Sequence, residues 1–519
     1  MRNYEILWAD DEIDLLKPHI LFLNNKGYNV TPVNSGSDAL DVMKSNVFDV
    51  VFLDENMPGL TGLETLAEIK TSHPNVPVVM ITKSEEEHIM EEAIGAKIAD
   101  YLIKPLNPNQ ILLSVKKILD NKRLVTEKTN MNYQQDFRNI SSAVNENLDF
   151  QEWIDVYKKM VYWELEIDDT QERAMAEVLN MQKDEANSEF CQFIMDNYPD
   201  WLNDPNIDKP LLSYRLMKEE VFPLLEEKRP VFFFLIDNLR YDQWEILEPI
   251  ISEYYNIEKE VPFYATLPTT TAYSRNSIFS GMLPDEMAKK HSDIWISEDG
   301  EEGKNMQEEE FLRRNLKRNN FDISFSYHKI LQKQHGRQLV ANVNNLLNND
   351  LNAIVYNFID VLSHARTDMK MIRELAPDEP AYRSLTLSWF KHSTLLELLQ
   401  ILAQKDVKVI ITTDHGTIRV KKPYKIVGDK KTNTNLRYKV GKNLNVDDTE
   451  GVMICRNPEE LHLPKENVSS SYIFGLKDDF FVYPNNYNHF VNYYKDTFQH
   501  GGISMEEMIV PLIHLIPKS

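Results

Sequence analysis

Residues 267–281 read LPTTTAYSRNSIFSG and place three consecutive threonines ahead of an arginine. We expect a helix to begin at Thr271, where free backbone N–H groups favour an anion. A threonine hydroxyl becomes a good nucleophile when a divalent metal ion stabilises its alkoxide. Arg275 lies one helical turn later and can offer a forked donor to phosphate oxygens. The segment therefore predicts a phosphoryl-transfer site with Thr271 as nucleophile. Thr269 and Thr270 can instead serve as N-cap or supporting donors. The alternative for the whole segment is a capped surface helix.

Candidate metal ligands follow the strand-like runs in the same part of the chain. The runs at 231–237, 352–360 and 407–416 each end in or near an aspartate, and histidines stand one helical turn after the second aspartate and directly after the third. A further histidine opens the late HGG sequence. Six Asp and His ligands suffice for two metal ions with three protein ligands and an open position each. The six are Asp237, Asp360, His364, Asp414, His415 and His500.

A second set of reactive side chains occurs near the N-terminus. The short apolar runs EILWA, VVFL, VPVVMIT and ADYLI alternate with helix-like stretches, which predicts a doubly wound parallel sheet. In such a sheet the residues at the carboxyl ends of the strands converge on one crevice. Three carboxylates together require a cation, and an oxygen-only set suits Mg²⁺, while a lysine and a hydroxyl suit a phosphoryl group. The converging residues are Asp10, Asp11, Asp54, Thr82 and Lys104. For Asp11 alone, a helix cap remains an equal alternative.

The stretch between these two parts is helical in character. From residue 121 to 228 apolar positions recur at i, i+3 and i+4, which predicts a small helical bundle with Trp153, Tyr157 and Trp163 in its core. Its acidic composition and the lack of a helix rich in Arg and Lys argue against a sequence-specific DNA reader. We therefore expect three domains, at 1–120, 121–228 and 229–519.

Composition limits the classes of function. The net charge of -24 argues against a protein whose main task is to bind a nucleic-acid backbone. The two cysteines form no CxxC pair, so neither a disulfide framework nor a thiolate metal site is expected. The sequence MRNYEILWADDE lacks the features of a secretory signal, and no run reaches the length of a membrane span. We expect a soluble, cytoplasmic protein.

The motifs DDE, LDENMPG, MIT and DYLIKP together resemble the receiver domain of two-component response regulators over residues 1–120. The resemblance implies that Asp54 accepts phosphate from a histidine kinase. It departs from the family at Lys83, where a small residue is usual beside the phosphoacceptor, and this puts the lifetime of the phosphorylated form in doubt. The other implied roles are Mg²⁺ binding by Asp10, Asp11, Asp54 and the backbone carbonyl of Asn56, phosphoryl binding by Thr82 and Lys104, and reorientation of Tyr101 on activation.

The C-terminal motifs resemble the alkaline phosphatase superfamily over residues 229–519. They comprise a nucleophile followed by arginine in TAYSRNSIFSG, then DxxxH at 360–364, DH at 414–415 and HGG at 500–502. The ending HGGISMEEMIVPL is especially similar to the branch called PglZ. The resemblance implies in-line attack by Thr271 on a phosphate that bridges two metals, with Arg275 steadying the equatorial oxygens and a phosphothreonine intermediate. It assigns Asp237, Asp414, His415 and Thr271 to one zinc, and Asp360, His364 and His500 to the other.

The three domains in this order resemble the PorX-type response regulators. This implies an α/β protein with a flavodoxin-like (βα)5 receiver, a helical bundle connector and a C-terminal α/β alkaline-phosphatase-like domain. It also implies a partner histidine kinase, control of type IX secretion, phosphodiesterase-like activity toward nucleotides or oligonucleotides, and contact with a sigma factor or a secretion-machinery component. We expect a homodimer when the receiver is phosphorylated.

Two interpretations stay open. The segment Arg419–Lys442 contains nine Lys or Arg and one acid, and it either lines the mouth of the metal site or forms a solvated loop. The acidic run 298–311 is expected to be a solvated insertion. For the whole chain, a phosphorylation-gated metallohydrolase is the favoured hypothesis. A phosphorylation-switched binding protein with a structural metal domain is the alternative.

Overall fold

The computed structural model describes residues 4–74, 76–83, 98–170, 173–295, 307–428, 432–446, 449, 451–465, 467 and 469–518, without the side chains of 120–131, 169–170, 173 and 368. Residues 298–306 of the acidic run and 429–431 of the basic segment therefore lie outside the described residues. The chain divides into two compact units, Met1–Tyr133 and Gln134–Ser519.

A five-stranded parallel sheet organises the first unit. Its order is β2-β1-β3-β4-β5, which is the flavodoxin-like arrangement and confirms the predicted fold of this part. The strands are β1 Tyr4–Ala9, β2 Tyr28–Val33, β3 Val50–Asp54, β4 Val78–Thr82 and β5 Asp100–Ile103. The described helices are Ile13–Leu16, Lys17–Asn25, Gly36–Met43, Gly62–Ser72 and Pro108–Val144, the first being a short 3₁₀ turn.

Apolar side chains alternate between the two faces of this sheet and form a hydrophobic core on each face. In β1, Leu7 and Ala9 pack on one face, while Ile6 and Trp8 pack on the other. Because successive strand residues point to opposite faces, a strand covered by helices on both sides reads as a continuous apolar run. This explains why the runs EILWA and VVFL were recognisable in the sequence.

The second unit begins with long helices. They cover Phe150–Thr170 and Arg173–Asn203, after the end of Pro108–Val144, and shorter turns follow at Ser213–Leu216, Met217–Val221 and Phe222–Leu225. Trp153, Tyr157 and Trp163 are 1–3% exposed, which confirms their prediction as core residues. Among the described helices, none has the length and apolar character that a membrane span requires.

A six-stranded sheet forms the centre of the rest of this unit. Its order is β7-β21-β11-β6-β10-β9, in which β11, β6, β10 and β9 run parallel while β21 is antiparallel to both of its neighbours. The strands are β6 Val231–Ile236, β7 Tyr255–Glu260, β9 Phe325–Ile330, β10 Leu351–Tyr356, β11 Lys408–Thr412 and β21 Leu512–Pro517.

Smaller strands surround this sheet. They are β8 Phe263–Tyr264, β12 Ile418–Arg419, β13 Lys422–Val427, β14 Tyr438–Lys442, β15 Asn445–Val446, β16 Val452–Cys455, β17 Ser470–Gly475, β18 Asp479–Val482, β19 Phe498–Gln499 and β20 Ile509–Val510. The helical segments are Tyr241–Ile251, Thr271–Arg275, Asn276–Ser280, Pro284–Lys290, Glu308–Arg318, Lys333–Ala341, Val343–Leu346, Phe358–Asp368, Lys370–Leu375, Glu379–Lys391, Thr394–Leu402, Pro458–Leu461, Tyr487–Tyr494 and Met505–Met508.

One element differs from its prediction. The run 352–360 was expected to be a strand ending at Asp360, but β10 stops at Tyr356 and Asp360 lies in the first turn of helix Phe358–Asp368. The strand ends where Asn357 leaves the extended conformation, with φ -95 and ψ 9. Asp360 therefore shares a helix with His364, as the i, i+4 spacing indicated.

Candidate metal centres

The first group of candidate ligands lies at the carboxyl ends of two adjacent parallel strands. Asp237 directly follows β6, and Asp414 and His415 follow β11, its neighbour in the sheet. Ligand atoms of all three lie within 4.8 Å of one another, and the three side chains are buried. Adjacent parallel strands must end side by side, so this convergence is a direct result of the topology.

The two oxygens of Asp237 have different surroundings. Oδ2 accepts a 2.6 Å hydrogen bond from Asn357 Nδ2 and also contacts the guanidinium of Arg275. Oδ1 lies 3.5 Å from Thr271 Oγ1 and 3.9 Å from His415 Nε2. Because Oδ2 is already occupied by two donors, Oδ1 is the oxygen that faces the candidate nucleophile and the histidine.

Thr271 begins a wide helical turn, as predicted. The turn Thr271–Arg275 continues into helix Asn276–Ser280. Thr271 Oγ1 lies 3.3 Å from His415 Nε2, which places the hydroxyl at the edge of the first group. Thr270 is the N-cap residue, yet its side chain makes no capping hydrogen bond. Thr269 instead donates to the Gly502 carbonyl at 2.9 Å, so it holds the HGG sequence rather than the helix.

Arg275 is placed differently from what the sequence suggested. Its side chain is fully buried, and each of its three nitrogens contacts a carboxylate. Nε donates to Asp414 Oδ2 at 3.0 Å, a terminal nitrogen lies 3.3 Å from Glu308 Oε1, and the other contacts Asp237. The fork that was expected to face phosphate is therefore occupied, because a buried guanidinium must be paired with acceptors.

Glu308 corrects the interpretation of the acidic run. It is 1% exposed and accepts from Tyr327 at 2.7 Å and from Lys329 at 3.1 Å, in addition to its contact with Arg275. A solvated insertion was expected throughout 298–311, and that is wrong for this residue. Glu308 is the first residue of helix Glu308–Arg318, whose apolar face is buried.

The second group combines Asp360 and His364 of one helix with His500. Asp360 Oδ1 lies 3.5 Å from His364 Nε2, 3.6 Å from His500 Nε2 and 3.5 Å from Asn238 Nδ2. His364 is 63% exposed, so this group opens to solvent on one side. The rings of His415 and His500 stack at a centroid distance of 4.2 Å, which brings the two groups next to each other.

His415 and His500 each have one ring nitrogen beside a backbone carbonyl. His500 Nδ1 lies 3.2 Å from the Thr269 oxygen and His415 Nδ1 lies 3.0 Å from the Gly416 oxygen. A carbonyl can only accept, so the proton resides on Nδ1 and the lone pair of Nε2 is left for a metal. Burial, with the neighbouring histidines, also lowers the pKa of His500 well below its usual range, which favours the neutral ligand.

The negative charges of the carboxylates in these two groups are not fully balanced by positive side chains nearby. Burial and the repulsion from Asp237 raise the pKa of Asp360 well above its usual value, and burial likewise raises the pKa of Asp237. Burial opposes ionisation of Asp414 as well, yet Arg275 and His415 bring its pKa down to about 2. Clustered buried carboxylates with neutral histidine nitrogens are a donor set that fits divalent cations such as zinc or manganese.

The receiver residues converge in the first unit. Asp10, Asp11 and Asp54 bring ligand atoms within 4.8 Å of one another. Lys104 Nζ lies 2.8 Å from Asp10 Oδ2 and 2.7 Å from Asp54 Oδ1. Burial raises the pKa of Asp54, although its hydrogen bond from Lys104 acts in the opposite direction. An oxygen-only set at the ends of β1 and β3 fits Mg²⁺.

The remaining receiver positions surround this group. The Thr82 hydroxyl donates to the carboxylate of Glu55, and Lys83 Nζ lies 3.1 Å from Glu12 Oε2 in an exposed ion pair. Asn56 is exposed, and Tyr101 is 38% exposed on β5. The phosphoryl-binding, metal-binding and switching roles of these residues stay predictions.

Three cations of the basic segment Arg419–Lys442 are paired with carboxylates. Arg437 is fully buried and donates to both oxygens of Glu507, at 3.1 and 2.7 Å. Arg419 lies 3.3 Å from Asp496, and Lys421 lies 3.2 Å from Asp478. Of these three cations only Arg437 is fully buried, and whether the segment lines the mouth of the metal site stays a prediction.

Several residues that hydrogen-bond to the candidate ligands were not predicted from the sequence. Asn357 after β10 donates to Asp237 after β6, while Asn238 after β6 donates to Asp360 beyond β10, so adjacent strands hold each other's carboxylates. Ser274 donates to the backbone carbonyl of Asp414 at 2.6 Å. The position of the two asparagines beside the strand-end aspartates is the signal that could have identified them.

Comparison with known families divides the chain into three matched regions. Residues 6–116 match the response regulator receiver domain, 123–202 match the PorX response regulator linker domain, and 216–515 match the BREX system PglZ alkaline phosphatase-like domain. The last match covers more than half of the chain. The order of the three agrees with the architecture expected from the sequence motifs.

Similar individual proteins match in the receiver region. The transcriptional regulatory protein ZraR of Escherichia coli O157:H7 is 35% identical over 127 residues, which are 24% of this chain and 29% of that protein. The alginate biosynthesis transcriptional regulatory protein AlgB of Pseudomonas syringae pv. tomato is 36% identical over 119 residues, 23% of this chain and 27% of that protein. The match thus spans less than a third of the length of these relatives.

Two solved structures are similar in the same region. The chemotaxis response regulator CheY4 of Vibrio cholerae has 26% identity and a TM-score of 0.22, covering 22% of this chain and 99% of that one. A response regulator receiver domain from Clostridium thermocellum has 28% identity and a TM-score of 0.23, covering 23% of this chain and 98% of that one.

The three matched family regions lead to one assignment. The chain belongs to the PglZ alkaline phosphatase-like family, joined to a response regulator receiver and a PorX linker domain.

Proposed function

We propose that this two-component regulator has a metal-dependent phosphohydrolase as its output, with nucleotide or oligonucleotide phosphoesters as substrates. The observation that carries the proposal is the position of Thr271 Oγ1, 3.3 Å from His415 Nε2 and 3.5 Å from Asp237 Oδ1. A threonine hydroxyl at the edge of six clustered Asp and His ligands is the arrangement that a phosphoryl-transfer nucleophile requires.

Each group of side chains has a proposed role in the reaction. Asp237, Asp414 and His415 would hold one divalent cation, and Asp360, His364 and His500 would hold the other. Two such cations polarise a bound phosphoryl group and promote ionisation of the attacking hydroxyl. We assign them to zinc, with manganese as the alternative, because both accept this mixed carboxylate and imidazole set.

Thr271 supplies the nucleophilic oxygen. Its Oγ would lose its proton to solvent and form a bond to phosphorus while the ester P–O bond breaks and the alcohol leaves with a proton from solvent. Water would then cleave the Oγ–P bond of the phosphothreonine, which releases the phosphate product and restores the hydroxyl. Thr271 Oγ1 lies 3.5 Å from Asp237 Oδ1, the carboxylate oxygen left for the cation, so the hydroxyl would lie beside that ion. Arg275 was expected to bind the phosphoryl oxygens. Its three carboxylate contacts support a different role, in which it fixes Asp237 and Asp414.

Substitution of the nucleophile tests the proposal. The Thr271→Val variant should hydrolyse a bis-aryl phosphodiester roughly 10³-fold or more slowly than the wild type, while Thr271→Ser, which retains a hydroxyl, should keep much of the activity. Bound zinc and manganese are measured in the same samples by elemental analysis. Bound metal without any turnover that depends on Thr271 would reject the proposed hydrolase. It would favour the alternative, a phosphorylation-switched protein that binds a sigma factor or a secretion-machinery component.

Regulation forms the second part of the proposal. A histidine kinase phosphorylates Asp54 in a site completed by Mg²⁺, Thr82 and Lys104, and the phosphorylated chain forms a homodimer in the cytoplasm that controls type IX secretion. Support comes from the receiver and PorX linker matches and from the convergence of Asp10, Asp11 and Asp54. Light scattering with and without a beryllofluoride phosphate analogue tests the dimer. A doubled mass is expected, and an unchanged mass counts against it.

A further inference from the structure

One buried face of helix Arg173–Asn203 contacts the loops that carry the candidate catalytic residues. Asn187, Cys191 and Tyr198 lie on this face, at spacings of four and seven residues that keep side chains on one side of a helix. The helix belongs largely to the region that matches the PorX linker, whereas the loops belong to the phosphatase-like region. The contacts therefore join regulatory and output sequence inside a single compact unit.

Asn187 binds the chain just after the HGG sequence. Its Nδ2 donates to Glu506 Oε2 at 2.9 Å, and its Oδ1 accepts from the Met505 backbone N–H at 2.9 Å. Both hydrogen bonds are fully buried. An amide that uses both its donor and its acceptor on one loop fixes the position and the orientation of that loop.

Cys191 adds a second contact to the same segment. Its thiol donates to the Ile503 carbonyl at 3.2 Å and accepts from the Lys477 backbone N–H at 3.4 Å. Burial raises the pKa of Cys191 to about 12, so the sulfur keeps the proton that it donates. Ile503 is three residues from His500, a candidate ligand of the second group.

Tyr198 holds the other loop, which leads to the candidate nucleophile. The phenol oxygen accepts from the Leu267 backbone N–H at 3.0 Å, and Leu267 stands four residues before Thr271. The tyrosine is fully buried, so Leu267 N–H has no water to replace this acceptor.

The two loops are connected to each other and to His415. The backbone N–H of Gly501 donates to Thr269 Oγ1 at 3.1 Å, and the backbone N–H of Gly416 donates to the Glu507 carbonyl at 3.1 Å. A Cβ at Gly416 would lie 1.9 Å from the Glu506 carbonyl oxygen, so only glycine permits this close approach. A displacement of the 503–507 segment would therefore move the backbone beside both His415 and His500.

We propose that Asn187, Cys191 and Tyr198 of the linker helix are positioning residues of the phosphatase site, which fix the loops of His500 and Thr271 from outside the domain that supplies the ligands. This inference rests on the proposed hydrolase function for its kinetic readout. Its metal-affinity readout does not depend on turnover. The linker helix is then a structural part of the site, and any rearrangement of the helix changes the separation of nucleophile and ligands.

Paired substitutions in the full chain test the proposal. Tyr198→Phe keeps the ring and removes the acceptor for Leu267, and Cys191→Ala removes a donor that Cys191→Ser retains. We expect Tyr198→Phe and Cys191→Ala to lower zinc affinity up to about 10-fold, the lower end of what losing a direct contact to a ligand costs, because they act on the ligands through the loop backbone. They should also lower kcat more than they change KM. Cys191→Ser should restore most of both quantities.

Exposed positions supply the matched controls. Gln192→Ala on the same helix and Tyr162→Phe, at a tyrosine that is 51% exposed, should leave zinc affinity and kcat unchanged. Zinc affinity is measured by competition with a chromogenic chelator, and thermal unfolding shows that each variant is folded. The proposal is overturned if folded Tyr198→Phe and Cys191→Ala bind zinc like the wild type, or if they lose only thermal stability. If the wild type binds zinc but hydrolyses no phosphoester, the proposed function fails while this affinity comparison still decides the positioning role.

Discussion

The candidate centre of the receiver and the Asp237, Asp414 and His415 group of the phosphatase-like region place different cations among their carboxylates. In the receiver, Lys104 reaches two aspartates with one flexible side chain that is 13% exposed. In the phosphatase-like region, Arg275 is fully buried and contacts three carboxylates with the three nitrogens of a rigid plane. Both groups lie at the carboxyl ends of parallel strands, so the topology is shared and the cation is what differs.

This difference separates a site that can be rearranged from a site that is fixed. A lysine is a point charge on four rotatable bonds, so it can move when a phosphoryl group or Mg²⁺ enters. An arginine in three ion pairs cannot move without leaving buried charges unpaired. The receiver is thus suited to switching, and the phosphatase-like centre to holding a preformed geometry.

Removing Arg275, the fixed cation, should have the largest effect on the free energy of unfolding. Arg275→Met leaves Asp237, Asp414 and Glu308 buried without their partner, and we expect the second unit to lose about 3–5 kcal/mol in its free energy of unfolding. Arg275→Lys should lose less, because it keeps the charge but cannot reach three carboxylates at once. Urea unfolding followed by circular dichroism measures both.

An exposed arginine is the control for this comparison. Arg313 is 55% exposed and forms an i, i+4 pair with Glu309, so Arg313→Met should change the same free energy by less than about 1 kcal/mol. If Arg275→Met were no more destabilising than Arg313→Met, the view of Arg275 as the fixed centre of the site would be wrong.

Much of this architecture could be predicted because local patterns carry it. Asp237, Asp414 and His415 follow apolar runs of strand length, and the parallel arrangement then brings them together. His364 could be paired with Asp360 from spacing alone. In these cases a short segment contains both the structural element and the reactive residue at its end.

The remaining contacts depend on packing between distant segments. Asn187 and Glu506 are 319 positions apart, and neither has a local pattern that indicates the other. Glu308 lies in an acidic run that resembles solvated sequence, yet it is buried against Arg275 because that guanidinium needs a third acceptor. The partners of a buried polar group are set by tertiary contacts, so composition alone gave the wrong environment for Glu308.

Removing Lys104, the movable cation, should have an intermediate effect on the free energy of unfolding. Added Mg²⁺ should reverse this effect. Lys104→Met leaves Asp10 and Asp54 facing each other, and we expect the receiver unit to lose about 1–2 kcal/mol without Mg²⁺. Millimolar Mg²⁺ should restore most of this loss, because the ion binds the same oxygens in the folded state only. Lys83→Met, which removes an exposed pair with Glu12, is the matched control and should have little effect. A loss that Mg²⁺ does not restore would contradict the exchange of lysine for metal.

Removing a titratable cation, His462, should have the smallest effect on the free energy of unfolding. This effect should also depend on pH. His462 Nδ1 lies 3.2 Å from Asp285 Oδ1 in the phosphatase-like region. This hydrogen bond raises the pKa of His462. Burial acts to raise the pKa of Asp285, but His462 and Lys289 outweigh it and hold that pKa at about 2.

The pKa shifts of His462 and Asp285 have opposite signs, and together they define the pH range in which this ion pair stabilises the fold. Stabilisation through His462 is complete below its ordinary pKa of 6.5 and is lost as the pH rises through the raised value. Stabilisation through Asp285 is complete above 3.8 and is lost as the pH falls through about 2. His462→Gln should therefore cost less than about 1 kcal/mol near pH 5.5, and still less near pH 8.5.

The comparison with Arg275 makes this small effect informative. An arginine stays charged across the whole range and the carboxylates that it pairs with stay ionised as the pH rises, so the loss in Arg275→Met should not shrink at the higher pH, whereas the loss in His462→Gln should. Urea unfolding of both variants at the two pH values measures the contrast, with Lys290→Met, an exposed i, i+4 pair with Glu286, as the control. A loss in Arg275→Met that falls with pH as in His462→Gln would show that titrating groups, and not a fixed cation, determine the stability of the phosphatase-like centre.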